Sequence, residues 1–238
     1  MSEFVNTVDV IGDDALTDSI LDRTITEYKS NVVTKIGESA FAECGSLINV
    51  EIPNVTSISS SAFEQCRALA LTSLPEGLTS ISGSAFEGCH VLALTSLPEG
   101  LTSISTSAFR QCYALALTSL PNGITSIGQT AFQGSDKLAL TSLPSELTTI
   151  NTRAFNGCKA IALTSLPSKI TNIGANAFDG CTGLTSLTFE GTPTSISSTT
   201  FNNCSKLKTI NVPWAEGAVA GAPWGATNAT INYNYTGA

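Results

Sequence analysis

Eight phenylalanines set the frame of this chain: Phe41, Phe63, Phe86, Phe109, Phe132, Phe155, Phe178 and Phe201. The first interval is 22 residues and each of the other six is 23. Three residues after each Phe stands Cys44, Cys66, Cys89, Cys112, Ser135, Cys158, Cys181 or Cys204, and three further on Leu47, Leu69, Leu92, Leu115, Leu138, Ile161, Leu184 or Leu207. A Pro follows at Pro53, Pro75, Pro98, Pro121, Pro144, Pro167 and Pro213, with Glu190 as the exception. Chance does not hold four residue types in phase over eight periods. A 23-residue unit cannot bury its own apolar face, whereas stacked units share one continuous core in which each coil touches only its neighbours. The expected fold is therefore a β-rich solenoid of about eight 23-residue coils, spanning 32–213, with a period inside the 20–29 window of a leucine-rich repeat solenoid.

Each coil reads as a strand, a turn at the Pro, a second short extended piece such as Leu78-Thr79-Ser80-Ile81, and a tight arc around Ala-Phe. The first and last units carry L-x-x-L-x-L: Leu47, Val50, Ile52 and Leu207, Ile210, Val212. The Asn that follows in mainstream leucine-rich repeats is replaced by Val55 and Ala215. Units such as Val55-Thr56-Ser57-Ile58 … Ala62-Phe63-Glu64-Gln65-Cys66 resemble BspA-like leucine-rich repeats, the Treponema pallidum type. Ser135 for Cys and Thr200 for Ala are the departures. The tail, Val212-Pro213-Trp214 … Ala222-Pro223-Trp224-Gly225, is similar to the C-terminal cap of such proteins from gut bacteria and their phages. The resemblance implies a non-enzymatic surface protein with a part in adhesion.

A solenoid needs a cap at each end. Residues 1–31 are acidic and outside the repeat. Asp13 or Asp14 is placed to cap a short helix over 15–23, with Leu16, Ile20 and Leu21 towards the first coil. Val33-Thr34-Lys35-Ile36 reads as half a repeat. The alternative for 1–31 is an additional role as anchor to a larger assembly. Residues 214–238 hold both tryptophans, Trp214 and Trp224, where an apolar lid is required, and Thr230 to Tyr235 alternates like a final edge strand.

The middle units differ from the end units. They read Leu69-Ala70-Leu71-Thr72-Ser73-Leu74 and onward to Ile161-Ala162-Leu163-Thr164-Ser165-Leu166, with Thr in the slot that Val50, Leu187 and Ile210 fill elsewhere. Two structures follow. Leu71, Leu94, Leu117, Leu140 and Leu163 turn inward and the Thr outward, or these leucines form an exposed stripe suited to a partner or to self-association. A second row varies from coil to coil beside the arc: Glu64 and Arg67, Glu87 and His90, Arg110 and Tyr113, Gln133 and Asp136, Asn156 and Lys159. It reads as unconstrained solvated surface or as a recognition edge. Arg67, His90, Arg110, Tyr113 and Lys159, with the five leucines, make the candidate interaction surface. The Thr column at 79, 102, 125, 148 and 171 is expected to satisfy strand edges rather than bind glycans or ice.

The cysteine column lacks the short C-x-x-C spacing of a metal site. Seven cysteines cannot all pair, and Ser135 shows that a small buried group suffices, so reduced packing thiols are expected. Lys and Arg number 11 against 19 Asp and Glu, a net charge of −8. That balance argues against a partner made of nucleic acid. No apolar span is long enough to insert into a membrane: the longest run without charge, 111–135, is broken by Thr, Ser, Asn, Pro and Gly. The single histidine, His90, falls at a variable slot with no fixed nucleophile, so no catalysis and no cofactor are expected. Three functions suit such a solenoid: a phage virion component for host attachment or decoration, a bacterial surface adhesin, and an intracellular scaffold. The start, Met1-Ser2-Glu3-Phe4, shows no export signal, which favours the virion, with a protein or cell-surface glycan as receptor. The localisation expected is virion or extracellular surface.

Overall fold

The computed structural model describes residues 24–237, together with the backbone of the strands Glu3–Val5 and Val10–Ile11. It is a parallel β-solenoid, and among the described residues no element is a helix. The expected capping helix over 15–23 lies outside the described residues. Among the described residues no helix is long and apolar enough to cross a membrane.

One side of the coil is a ladder of two-residue strands ending in Ile. Val10–Ile11, Lys35–Ile36, Ser57–Ile58 and Ser80–Ile81 form one parallel sheet. Ser103–Ile104, Ser126–Ile127, Thr149–Ile150, Asn172–Ile173 and Ser195–Ile196 form the next. The sheets part between Ile81 and Ile104, where Ser105 Oγ donates to the Ile81 carbonyl at 2.8 Å. Elsewhere a main-chain amide does so, as Gly128 N does to Ile104 O at 2.8 Å. The nine strands outnumber the eight phenylalanines because Val10–Ile11 belongs to a coil without a Phe mark.

The leucine side is also laddered, but only at the ends. Glu3–Val5, Glu27–Lys29 and Asn49–Glu51 pair in parallel near the start. Ser165–Leu166, Ser186–Phe189, Thr209–Asn211 and Thr230–Asn232 pair near the finish, so the last piece is the expected edge strand. The coils at 69–74, 92–97, 115–120 and 138–143 have no strand here, contrary to the expectation of a strand in every coil. The cause is periodicity. In Val50-Glu51-Ile52 the buried residues alternate with an exposed one, which a pleated strand requires. In Leu71-Thr72-Ser73-Leu74 two exposed residues stand together and alternation fails; the same motif forms a strand at Ser165–Leu166, where the next coil offers the alternating Ser186–Phe189 as partner.

The N-terminal boundary also differs from the sequence reading. Ile25 and Tyr28 are buried and Glu27–Lys29 pairs with Asn49–Glu51, so the coil ending at Ile36 is whole rather than half. Ser30 in the last apolar slot conceals the pattern. Its Oγ accepts the amides of Val32 and Val33 at 3.3 and 3.1 Å.

The core is a set of columns. The eight Phe rings stack in order, with centroids 5.0 to 5.6 Å apart. Tyr28 meets Phe41 edge-on at 4.9 Å at one end. Phe189, Trp214 and Trp224 close the other end with edge and tilted contacts. Both tryptophans are buried, as a lid should be. Trp224 also accepts the Phe201 amide at 2.8 Å, the bond that Ala62, Ala85 and their successors make to the Phe one coil before.

The arc is a third ladder. The residue before Ala-Phe adopts positive φ in seven coils: Ser39, Ser61, Ser84, Ser107, Thr130, Arg153 and Asn176, at 53 to 56°. Left-handed backbone costs a non-glycine residue about 1–2 kcal/mol. The bonds across coils hold it there, as Phe109 N to Ala131 O at 2.8 Å and Gln111 N to Gln133 O at 2.7 Å.

Candidate functional surface

The five repeated leucines are in the core. Leu94, Leu117 and Leu140 are fully buried, Leu163 nearly so, and Leu71 is 8 % exposed. The exposed-stripe alternative is thereby excluded, and Leu94, Leu117, Leu140 and Leu163 leave the candidate interaction surface, while Leu71 keeps a small exposed area. Two residues on, alternation carries Leu71 to the same side as Leu69, while Thr72, Thr95, Thr118, Thr141 and Thr164 point to solvent. The leucine frame has moved by one place and the buried column has moved with it.

The cysteine column is made of donors as well as packing groups. Each Sγ from Cys66 to Cys204 donates to the carbonyl of the Phe one coil earlier, at 3.0 to 3.1 Å. Ser135 Oγ makes the same bond to Phe109 O at 2.9 Å. The substitution thus conserves a hydrogen-bond donor in a buried slot, which small size alone does not explain. All seven cysteines are free. Burial pushes the thiols of Cys66, Cys89, Cys112, Cys158 and Cys181 well above their ordinary value, and that of Cys204 up to about 12. They stay protonated, which the donor role needs and nucleophilic chemistry does not favour. The Thr column lies at the surface but bonds within the solenoid: Thr79, Thr125, Thr148 and Thr171 each donate Oγ1 to the Thr carbonyl one coil earlier, at 3.0 to 3.3 Å.

The variable row remains at the surface, and its members divide. Arg110 lies between Glu87, 2.7 Å from its Nη1, and Gln133, 3.1 Å from its Nε. Gln133 continues through Asn156 to Asp179 at 3.1 Å each, so Arg110 is one rung of a polar ladder. Lys159 is bridged to Asp136 at 2.9 Å. Arg67, His90 and Tyr113 occupy one slot in three successive coils. The rings of His90 and Tyr113 lie 4.8 Å apart, tilted by 34°. Tyr113 is 42 % exposed, and neighbouring Val91 is exposed as well. Arg67 is held by Gln65 at 3.2 Å. Burial, and then the charge of Arg67, lower the His90 pKa below its ordinary value, so its ring is neutral at pH 7 with one donor and one acceptor. The result is a small edge of one cation, one neutral imidazole and one phenol.

Sequence reasoning missed a groove on the leucine side, lined by Glu51, Leu71, Leu74 and Glu76 among others, of about 590 Å³. Its signal was present in the repeated Pro75-Glu76-Gly77 and Pro98-Glu99-Gly100, and in the change of leucine frame between Val50 and Leu71. No group of three or more His, Cys, Asp or Glu is gathered as metal ligands among the described residues.

The family model of the BspA type leucine rich repeat region matches residues 2–116 and 114–216, with six copies. The chain belongs to the BspA-type leucine-rich repeat family. Repeats of this family are typically binding scaffolds rather than catalysts. A solved leucine rich cell surface protein from Faecalibacterium prausnitzii is 26 % identical, with a TM-score of 0.56, and the match covers 87 % of this chain and 70 % of that one. A leucine-rich repeat protein from Bacteroides ovatus is 23 % identical (TM-score 0.53, 85 % and 64 % covered) and shares the fold. So does the pneumococcal vaccine antigen PcpA, 22 % identical (TM-score 0.54, 86 % and 60 % covered). The chain thus spans about two thirds of the length of these proteins. No curated protein sequence matches it significantly.

Proposed function

We propose that this BspA-type solenoid is a cell-surface binding protein that engages its partner through the edge formed by Arg67, His90 and Tyr113. The observation that carries the reading is the exposed Tyr113 ring, tilted against His90, with Arg67 in the same slot one coil before His90. The repeat frame has no use for these side chains: the same slot holds Gly45, Asp136 and Thr182 in other coils. Tyr and Arg are the residue types that dominate binding hot spots. Lys159, two coils from Tyr113 and already bridged, forms the rim. The relative from Faecalibacterium prausnitzii, described as a cell surface protein, speaks for a surface location over the virion role that the start of the sequence favoured.

The test is binding of labelled protein to whole cells and to arrays of matrix proteins and glycans. The reading expects saturable binding to a protein ligand, weakened at least tenfold by Arg67→Ala, His90→Ala and Tyr113→Ala combined, with unchanged thermal unfolding. Binding that the triple variant retains in full would place the contact elsewhere. No binding to any surface above an albumin control would remove the proposal altogether.

A further inference from the structure

We infer that the groove beside strand Asn49–Glu51 takes an extended segment of a partner protein, bearing Lys or Arg, as an added strand. This rests on the binding-protein reading and names a second contact for it. The strand is the last of its sheet: one edge pairs with Glu27–Lys29, and no strand of the next coil pairs with the other. Only the bond from Ala70 N to Ile48 O, at 2.9 Å, ties that coil to it here. An unpaired strand edge is a template for another chain, with main-chain bonds supplying affinity and alternate side chains specificity.

The floor and walls agree on the occupant. Leu71 is the most exposed of its column, and Leu74 is only partly buried where Leu97, Leu120, Leu143 and Leu166 are buried. Both lie under the groove, so apolar side chains of an added strand have somewhere to go. The groove shares Ser73, Leu74 and Glu76 with a second hollow of about 530 Å³ that runs on to Glu99. Glu51, Glu76 and Glu99 therefore stand along one continuous depression. Lys29 lies 3.4 Å from Glu51. Among the described residues no cation comes within salt-bridge distance of Glu76 or Glu99, whereas Glu146 two coils on is bridged by Lys169. An added strand turns alternate residues to opposite sides. Apolar residues at every second position meet Leu71 and Leu74, and basic residues between them meet the carboxylates.

The probe is acetyl-Lys-Val-Lys-Val-Lys-Val-amide, titrated into the full chain with backbone amide NMR as the readout; the acidic counterpart with Glu for Lys is the control. The expected result is saturable shifts at Val50 and 71–74, affinity falling at least tenfold in the Glu76→Lys/Glu99→Lys double variant, and no response to the acidic peptide. Both substitutions are at exposed turn positions, and the melting curve of the variant checks its fold. Absence of shifts, equal binding of the two peptides, or affinity untouched by charge reversal overturns the inference. Shifts confined to Arg67, His90 and Tyr113 overturn it too, while leaving the proposed edge intact. Conversely, the peptide result stands by itself if whole-cell binding fails.

Discussion

The ends and the middle of the solenoid stack the same columns but bond their leucine sides differently. At the ends, Tyr28, Val50, Leu187 and Ile210 sit in strands that pair coil to coil. In the middle, Leu94, Leu117 and Leu140 are just as buried, yet Thr95, Ser96, Thr118 and Ser119 donate no main-chain hydrogen bond to another coil. The bond that survives in each coil is at the Ala of Leu-Ala-Leu, as Ala116 N to Leu94 O at 3.2 Å, and the coil at 138–143 adds a long one from Thr141 N to Thr118 O at 3.4 Å. Side-chain columns can therefore hold a coil in register without a strand ladder on this side, provided the Ile ladder and the arc ladder remain. The exchange leaves peptide groups and hydroxyls facing water, and where the two patterns meet it leaves the groove.

If the middle depends on columns, emptying one there has the largest effect. Phe109→Ala removes a ring stacked between Phe86 and Phe132 at 5.6 Å on either side. It should cost about 3–5 kcal/mol in denaturant unfolding. Leu117→Ala should cost roughly 2–5 kcal/mol as a buried leucine, while the adjacent Thr118→Ala should stay within about 0.5 kcal/mol. The reverse order would return the leucine stripe to the surface and erase the contrast.

Ser135 sharpens the comparison from inside one column. Ser135→Cys should be nearly neutral, and Ser135→Ala should cost about 1 kcal/mol for the lost bond to Phe109 O. Equal stability of the two variants would reduce the column to packing alone. His90 is the smallest effect. Its native pKa is depressed, so the neutral ring is the form the fold favours. Its contribution is present above the unfolded value of about 6.5 and fades as pH falls below it. Arg67→Ala should raise the His90 pKa in an NMR titration, because the second cause of the depression is gone.

How much of this could be read from the residues follows from what each level depends on. The Phe, Cys and Leu columns were legible because stacking demands the same side chain in every coil. The fate of Leu71 and its successors was not, because a one-place shift satisfies the period equally well inward or outward, and the main-chain path decides. The missing strands were hidden for the same reason: Leu-Ala-Leu-Thr-Ser-Leu is apolar enough for a strand, and only its broken alternation tells. Ser30 concealed a whole coil by filling an apolar slot with a polar group that bonds locally. At the surface, His90 and Tyr113 stood out as departures from the frame, but their ring contact and the capture of Arg110 by Glu87 required coordinates.

Residue-resolved amide hydrogen exchange reads the division between ends and middle directly. Thr95, Ser96, Thr118 and Ser119 should exchange fast. Thr188 and Val212, which donate to Thr164 and Asn232 at 3.0 Å, should be protected, as should Phe109 and Gly128 on the other sides of the same middle coils. Slow exchange at 95–96 and 118–119, equal to that at the ends, would mean that the leucine-side ladder runs unbroken, and the account of the middle coils would be wrong.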